Sequence, residues 1–273
     1  NLIDWKVRMA RYPRMMPILP RMFAASVART ERVSPSFQRV TIAGADLADF
    51  EWLGHDHWFR LFLPATGAPL RLPEVTGRVW WNSYLAIPEA ERPHCSNYTV
   101  AGYRRTASGG ELDIDVVLHW HDGELSGAVA IWAAHAELGN EVGLLDQGLL
   151  FDPPADAAEY VLVADETGLP AVRGILRSLP TDATGVALLE VPKSGDVEQL
   201  AAPSGVQVRW LPRDGRAGTP GQLALAALSE VSPRPDAYAF SVGESDLATG
   251  GRRALHRAGL AKSRITFSGF WKA

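Results

Sequence analysis

The spacing of apolar residues changes part-way along the chain. Up to about Asp146 they fall mostly in short β-type runs, while beyond Asp152-Pro153-Pro154-Ala155 continuous apolar runs alternate with helical stripes. In the first part, residues 25–32 and 37–42 are β-type runs around Ser34-Pro35-Ser36, and 57–63 is a third. Residues 65–95 are looser, with Trp80-Trp81 and several prolines. Residues 98–104 and 111–118 read as two further strands joined by Ser108-Gly109-Gly110. In the second of these, Leu112, Ile114, Val116 and Leu118 alternate with Asp113, Asp115 and Val117, which puts the two aspartates on a wet face. A helix around 126–136 and a strand near 141–145 complete this part. Many short strands with one helix predict a small antiparallel barrel.

The second part predicts strands at 160–163, 186–191, 206–211 and 238–242, helices near 169–179, 221–230 and 246–258, and a terminal strand over 264–271. Strands alternating with helices predict a parallel α/β sheet. Its first strand breaks at Asp165-Glu166-Thr167-Gly168, and a helix follows with Pro170 in its first turn, where a missing N–H costs nothing. Leu169, Val172, Ile175, Leu176 and Leu179 share one helical face, Arg173 and Arg177 another, and Pro180 stops the helix. A strand, a tight turn and a helix start make a ligand position at the carboxyl end of a sheet. The turn is no dinucleotide fingerprint: with one glycine and two carboxylates it would repel phosphate. An acidic helix start without a ligand is the alternative reading.

The boundaries that follow are a basic arm at 1–21, a barrel domain at 22–152 and an α/β domain at 153–273. The arm carries Lys6, Arg8, Arg11, Arg14 and Arg21 against Asp4, and reads as a solvated arm ahead of an anion- or membrane-surface role. The 273 residues are 47% hydrophobic and 21% charged, enough for a sizeable core. The net charge of −4 asks for no nucleic acid. The single cysteine, Cys95, excludes an intramolecular disulfide, fits a reducing compartment and is expected to be a buried thiol. No apolar run has membrane-spanning length and no signal-peptide core is present, so the expectation is a cytoplasmic protein without stable membrane insertion. The histidines, including His55, His57, His94, His121 and His135, lack metal-ligand spacing, and no nucleophile–base arrangement is visible. No catalytic side chain and no metal ligand is expected.

The acidic turn, extended to Asp165-Glu166-Thr167-Gly168-Leu169-Pro170-Ala171, closely resembles the D-E-T-x-L-P-A signature of the siderophore-interacting proteins, flavin-dependent ferric-siderophore reductases. Further matches are Ser34-Pro35 with Arg39-Val40-Thr41, Asn97-Tyr98-Thr99-Val100, Val117-Leu118-His119 before Gly127 and Trp132-Ala133, then Glu190-Val191, Trp210-Leu211, Gly243-Glu244 and the closing Gly269-Phe270-Trp271-Lys272. The similarity runs from about residue 25 to the end. It implies a ferredoxin-reductase-like fold, an antiparallel Greek-key FAD-binding barrel followed by a Rossmann-like parallel-sheet nucleotide-binding domain. It also implies electron transfer from NADH or NADPH, or from a ferredoxin, through FAD to a ferric siderophore, with iron released as Fe(II). A flavin reductase serving another acceptor and a binding module without flavin are the alternatives.

By this resemblance Tyr98 lies against the flavin ring with Thr99 near its reactive nitrogen, flanked by Ser96, Asn97 and Val100. His119 stands on the adenylate or phosphate side, Gly127, Ala128 and Val129 offer backbone N–H groups to phosphate, and Trp132 is packing rather than contact although it belongs to the same set. Asp165, Glu166, Thr167, Gly243 and Glu244 border the nucleotide crevice, and Phe270 and Trp271 border the flavin. Glu190 ends a strand where an acid can hold a ribose diol, favouring NADH, whereas Arg213 nearby favours NADPH. Lys272, Arg104 and Arg105 could present positive charge to an anionic siderophore, against plain surface solvation. Three departures stand out: Ser96 replaces the arginine that holds the flavin pyrophosphate in R-x-Y-[ST], for which Arg104 or Arg105 further along the strand could substitute, Ala101 replaces a second arginine, and Ala128-Val129-Ala130 replaces P-A-S, which removes a hydroxyl and leaves the backbone amides. Losing a charge-assisted bidentate contact removes roughly 1.5–3 kcal/mol.

Overall fold

The computed structural model describes residues 20–77 and 79–273. Residues 1–19 of the basic arm lie outside them. Two compact units result, one running to Leu53 and from His57 to Leu149, the other comprising Gly54–Asp56 and Leu150–Ala273.

In the first unit, β1 (Met22–Ser34), β2 (Phe37–Gly44), β3 (Trp58–Leu63), α1 (Trp81–Ala86), β4 (His94–Thr99), β5 (Gly102–Thr106), β6 (Gly109–Val117), β7 (His119–His121), β8 (Glu124–Ser126), α2 (Ala128–His135) and β9 (Glu141–Gly148) follow in order. All strands but the β7–β8 hairpin form one antiparallel sheet, β4-β3-β9-β1-β2-β6-β5. Its two edges, β4 and β5, are consecutive in the chain and joined only by Val100 and Ala101, so the sheet must curl until its ends meet. The joint shows the closure: Val100 N–H donates to the His57 carbonyl (2.8 Å) and Ala101 N–H to the Asp113 carbonyl (2.9 Å). The single strand expected over 98–104 is therefore two strands on opposite edges. Alternation alone cannot reveal that the donors change partner mid-run.

Phe23, Val40, Ile42, Phe59, Leu61, Leu112, Ile114, Val116 and Leu144 fill the barrel interior, with Val129 and Ala133 of α2 packed among them. The alternation on β6 holds for its apolar side. Its aspartates, however, are not on a wet face: Asp115 is buried under Arg39 (2.7 and 3.0 Å), and Asp113 accepts from Arg104 (3.0 Å) and Thr41 (2.7 Å). Arg29 and Arg104 both hold Glu111 on the same surface, which makes a cross-strand ladder of charges. A buried pair was invisible in the sequence. His57 Nδ1 accepts from Leu53 N–H (3.0 Å), so its Nε2–H faces Asp146 (2.7 Å).

The second unit comprises β10 (Glu159–Ala164), α3 (Leu169–Ser178), β11 (Thr184–Val191), β12 (Gly205–Pro212), α4 (Gln222–Leu228), β13 (Tyr238–Glu244), α5 (Ser245–Arg257) and β14 (Ile265–Trp271). The sheet is wholly parallel in the order β12-β11-β10-β13-β14. Val161, Val163, Leu188 and Ala239 meet α4 and α5 on one face, and right-handed crossovers place α3 on the other. The strand order reverses between β10 and β13, the topological switch point of a doubly wound sheet. Residues 54–56 belong here because Asp56 accepts from Leu150 and Phe151 N–H (3.0 and 3.2 Å) and His55 N–H donates to Ser178 Oγ (2.9 Å).

Candidate functional site

At the carboxyl ends of the parallel strands the sequence gathers four carboxylates, Asp165, Glu166, Glu190 and Glu244, each no more than 2% exposed. Burying such charges is tolerated only when every lone pair is engaged. Asp165 Oδ1 accepts from Thr167 N–H (2.9 Å) and Oγ1–H (2.6 Å), while Oδ2 accepts from Glu244 N–H (2.7 Å) and Trp271 Nε1–H (2.9 Å). One carboxylate thus ties the turn after β10 to the ends of β13 and β14 across the switch point. It packs so closely that a Cβ on Gly243, whose φ is 129°, would lie 2.6 Å from the Asp165 carboxyl carbon. Glu244 caps α5 through Asp246 and Leu247 N–H, and also receives Ala273 N–H (3.2 Å).

Arg213 grips Glu166 with both Nη atoms (2.7 and 3.0 Å) and reaches Glu190 at 2.7 Å. Burial pushes the Glu166 carboxyl above its ordinary range despite the pull of that guanidinium. Glu190, wholly buried, also accepts from Gly221 and Ala224 N–H at the start of α4. Its oxygens are occupied, so the ribose-diol role expected for it is replaced by a structural one. Arg213 is equally committed, with both Nη atoms on carboxylates.

In the barrel, β4 carries Ser96, Asn97, Tyr98 and Thr99 on the sheet edge, with Tyr98 opposite Phe59 and Ser96 opposite Leu61 of β3. Tyr98 leans on the core, and burial pushes its phenol above the usual range. Neither the Tyr98 nor the Thr99 hydroxyl has a hydrogen-bond partner among the described residues. Gly127, with φ 94°, precedes α2 with no side-chain cap, so the N–H groups of its first turn, Ala128 and Val129 included, lack a side-chain acceptor. These groups suit an aromatic ring system carrying phosphates, which is what FAD presents. His119 opens the β7–β8 hairpin and Trp132 packs on the barrel core.

The cations expected to meet an anionic substrate are differently placed. Arg104 is held by Glu111 and Asp113, and Lys272 by Asp246 (2.7 Å). Arg105 has no ion-pair partner among the described residues. Phe270 is 39% exposed, while Trp271 is fixed by Asp165. Cys95 is half-buried rather than enclosed, and burial raises its thiol to about 11. Within the loose stretch, α1 was missed, and with it the packing of Trp80 and Tyr84 against Phe62 of β3, because six helical residues show no period. The adjacent Trp80-Trp81 was the one available signal.

Residues 26–149 match the model of the siderophore-interacting FAD-binding domain, and residues 157–273 that of the siderophore-interacting protein. The chain belongs to the siderophore-interacting protein family. Relatives of this siderophore-interacting protein include the ferric vibriobactin reductase ViuB of Vibrio cholerae, 31% identical over 96% of this chain and 90% of that protein. The NADPH-dependent ferric-chelate reductase of Escherichia coli is 30% identical over 96% and 98%. Among solved structures, a siderophore utilization protein from T. fusca superposes with a TM-score of 0.77 at 31% identity, covering 94% of each chain. The barrel-then-parallel-sheet order is the ferredoxin-reductase-like arrangement, shared with the ferredoxin reductase of carbazole 1,9a-dioxygenase as a likeness of fold alone. No described helix is long and apolar enough to cross a membrane.

Proposed function

We propose that this protein is a flavin-dependent reductase of ferric siderophores, using NADPH or NADH, or a donor protein such as a ferredoxin, to release chelated iron as Fe(II). The observation that carries the reading is the alignment of 96% of the chain with two ferric reductases, together with a β4 edge whose Tyr98 and Thr99 hydroxyls are unengaged among the described residues. When bound, FAD takes the two electrons of a hydride together and gives them up singly, matching a two-electron donor to a one-electron acceptor. Tyr98 and Thr99 orient the ring, and the uncapped start of α2 receives phosphate. No side chain has to move a proton, because the protein's task is position and charge. Fe(II) binds hard oxygen chelators more weakly than Fe(III), so reduction itself frees the metal. Arg105, which has no carboxylate partner among the described residues, is the cation offered to an anionic chelate. A reducing cytoplasm suits both donor and thiol.

The test is nucleotide oxidation by the FAD-loaded protein with and without a ferric siderophore, with Fe(II) trapped by a colorimetric chelator and NADPH, NADH and reduced ferredoxin compared. Oxidation no faster with the ferric siderophore than without it would sink the reading.

A further inference from the structure

The flavin pyrophosphate needs a positive partner, and Ser96 on β4 supplies none. Arg60, on the adjacent strand opposite Asn97, is the nearest cation in register, but it is already used. It donates to Asn97 Oδ1 (3.1 Å) and Gln147 Oε1 (3.2 Å), and its guanidinium lies 5.5 Å and 5.1 Å from the Trp58 and Trp80 rings.

A cleft of about 620 Å³ opens beside the start of β4, and its lining includes Tyr84, Glu89, Arg92, His94, Ala128 and Trp132. Arg92 is fixed there by its own backbone surroundings. Nε donates to the Ile87 carbonyl (3.2 Å), Nη2 donates to the Leu85 and Ile87 carbonyls (2.8 and 3.0 Å), and the guanidinium stands 5.8 Å from the Tyr84 ring centroid. These acceptors are neutral, so the charge of Arg92 is held in place without being cancelled. Its Nη1 has no partner among the described residues. Rotamer entropy that a flexible surface arginine would lose on binding is already lost. Glu89, the one acid among the described lining residues, is exposed and forms no ion pair with Arg92. Beside Arg92, His94 Nε2 and Ser96 Oγ are 2.7 Å apart, a rotatable hydroxyl and an imidazole rather than a second charge. Ala128 brings the uncapped start of α2 to the same cleft, and Tyr84 and Trp132 give it aromatic walls.

A fixed cation, free backbone donors and aromatic walls together recognise a phosphate joined to a flat ring. We propose that this cleft takes the adenosine-diphosphate end of FAD, with Arg92 as the residue that contacts the phosphates in place of an arginine at position 96. The proposal rests on the flavoenzyme reading and adds the charged residue and the ligand end that the cleft holds.

The test is equilibrium titration of the full chain with FAD, riboflavin and ADP, read by flavin fluorescence quenching and calorimetry rather than turnover. Arg92→Gln is expected to weaken FAD by about tenfold to a hundredfold, to weaken ADP by a similar factor and to leave riboflavin unchanged. Added salt should weaken FAD more steeply than riboflavin in the wild type and less so in the variant. Arg92→Lys keeps the charge and loses the fork, so intermediate FAD affinity is expected, and this variant serves if Arg92→Gln does not fold. Unchanged FAD affinity in both variants, or equal weakening of FAD and riboflavin, would overturn the assignment. Wild-type protein that binds neither FAD nor riboflavin overturns the flavoenzyme reading as well, an outcome distinct from the other two.

Discussion

Replacing Asp165 by asparagine preserves the size of the side chain and removes half of its accepting capacity. In the wild type, Oδ1 serves Thr167 and Oδ2 serves Glu244 N–H and Trp271 Nε1–H at 2.7 and 2.9 Å. An amide can keep one pair, but its NH₂ group must then point at the other, either the N–H donors of Glu244 and Trp271 or the N–H and hydroxyl of Thr167. Each buried donor left without an acceptor costs about 1–3 kcal/mol, so the expected loss is about 3–5 kcal/mol. One effect opposes this: the Asp165 charge repels Glu166, and its removal relieves that repulsion. The relief is the smaller term, because Glu166 already has a bidentate partner in Arg213. At about 2–4 °C per kcal/mol, the melting temperature should fall by roughly 10 °C. Calorimetry and urea titration read the loss. Trp271→Phe supplies the internal control, since it deletes one of the competing donors rather than orphaning it. The double variant Asp165→Asn with Trp271→Phe should be about 1 kcal/mol more stable than the sum of its parts. Asparagine within about 0.5 kcal/mol of wild type, or strict additivity with Trp271→Phe, would refute the clamp.

Arg213→Met leaves Glu166 and Glu190 buried without their cation and should cost about 3–5 kcal/mol in a urea titration. Hydrogen bonds from Arg29 and then Arg104 hold Glu111 at about 2, below its ordinary 4.5. A depressed carboxyl contributes stability that is complete above pH 4.5 and lost as pH falls through 2. The stability gap between wild type and Glu111→Gln should therefore narrow over that window, and a gap independent of pH would contradict the pairing. With its thiol raised from 9.0 to about 11, Cys95 should carry about 100-fold less thiolate at pH 8 than an exposed cysteine, so a thiol reagent should label it about 100-fold faster after unfolding. Gly243→Ala forces a Cβ against the Asp165 carboxylate and should lower the melting temperature in the same manner as Asp165→Asn.

Much of this architecture was local and therefore legible. Period-two runs gave the barrel strands, and β-branched runs with helical stripes gave the parallel sheet, because burial on one face or two imposes those patterns directly. The strand–turn–helix pattern drew attention to the acidic turn, and the structure brings its carboxylates together with Glu190 and Glu244 at the strand ends. The sequence by itself determined most of the strands and the longer helices, and which residues carry charge. Tertiary structure decided what those charges do. Asp165 becomes a clamp because its four donors arrive from three strand ends, Glu190 becomes a helix anchor because α4 starts above it, and Arg104 is neutralised because β6 lies alongside. It also split residues 98–104 between two sheet edges and gave Arg92 a cleft to face. Each outcome depends on partners brought together from across the chain by packing, and no spacing along the chain encodes which partner will arrive.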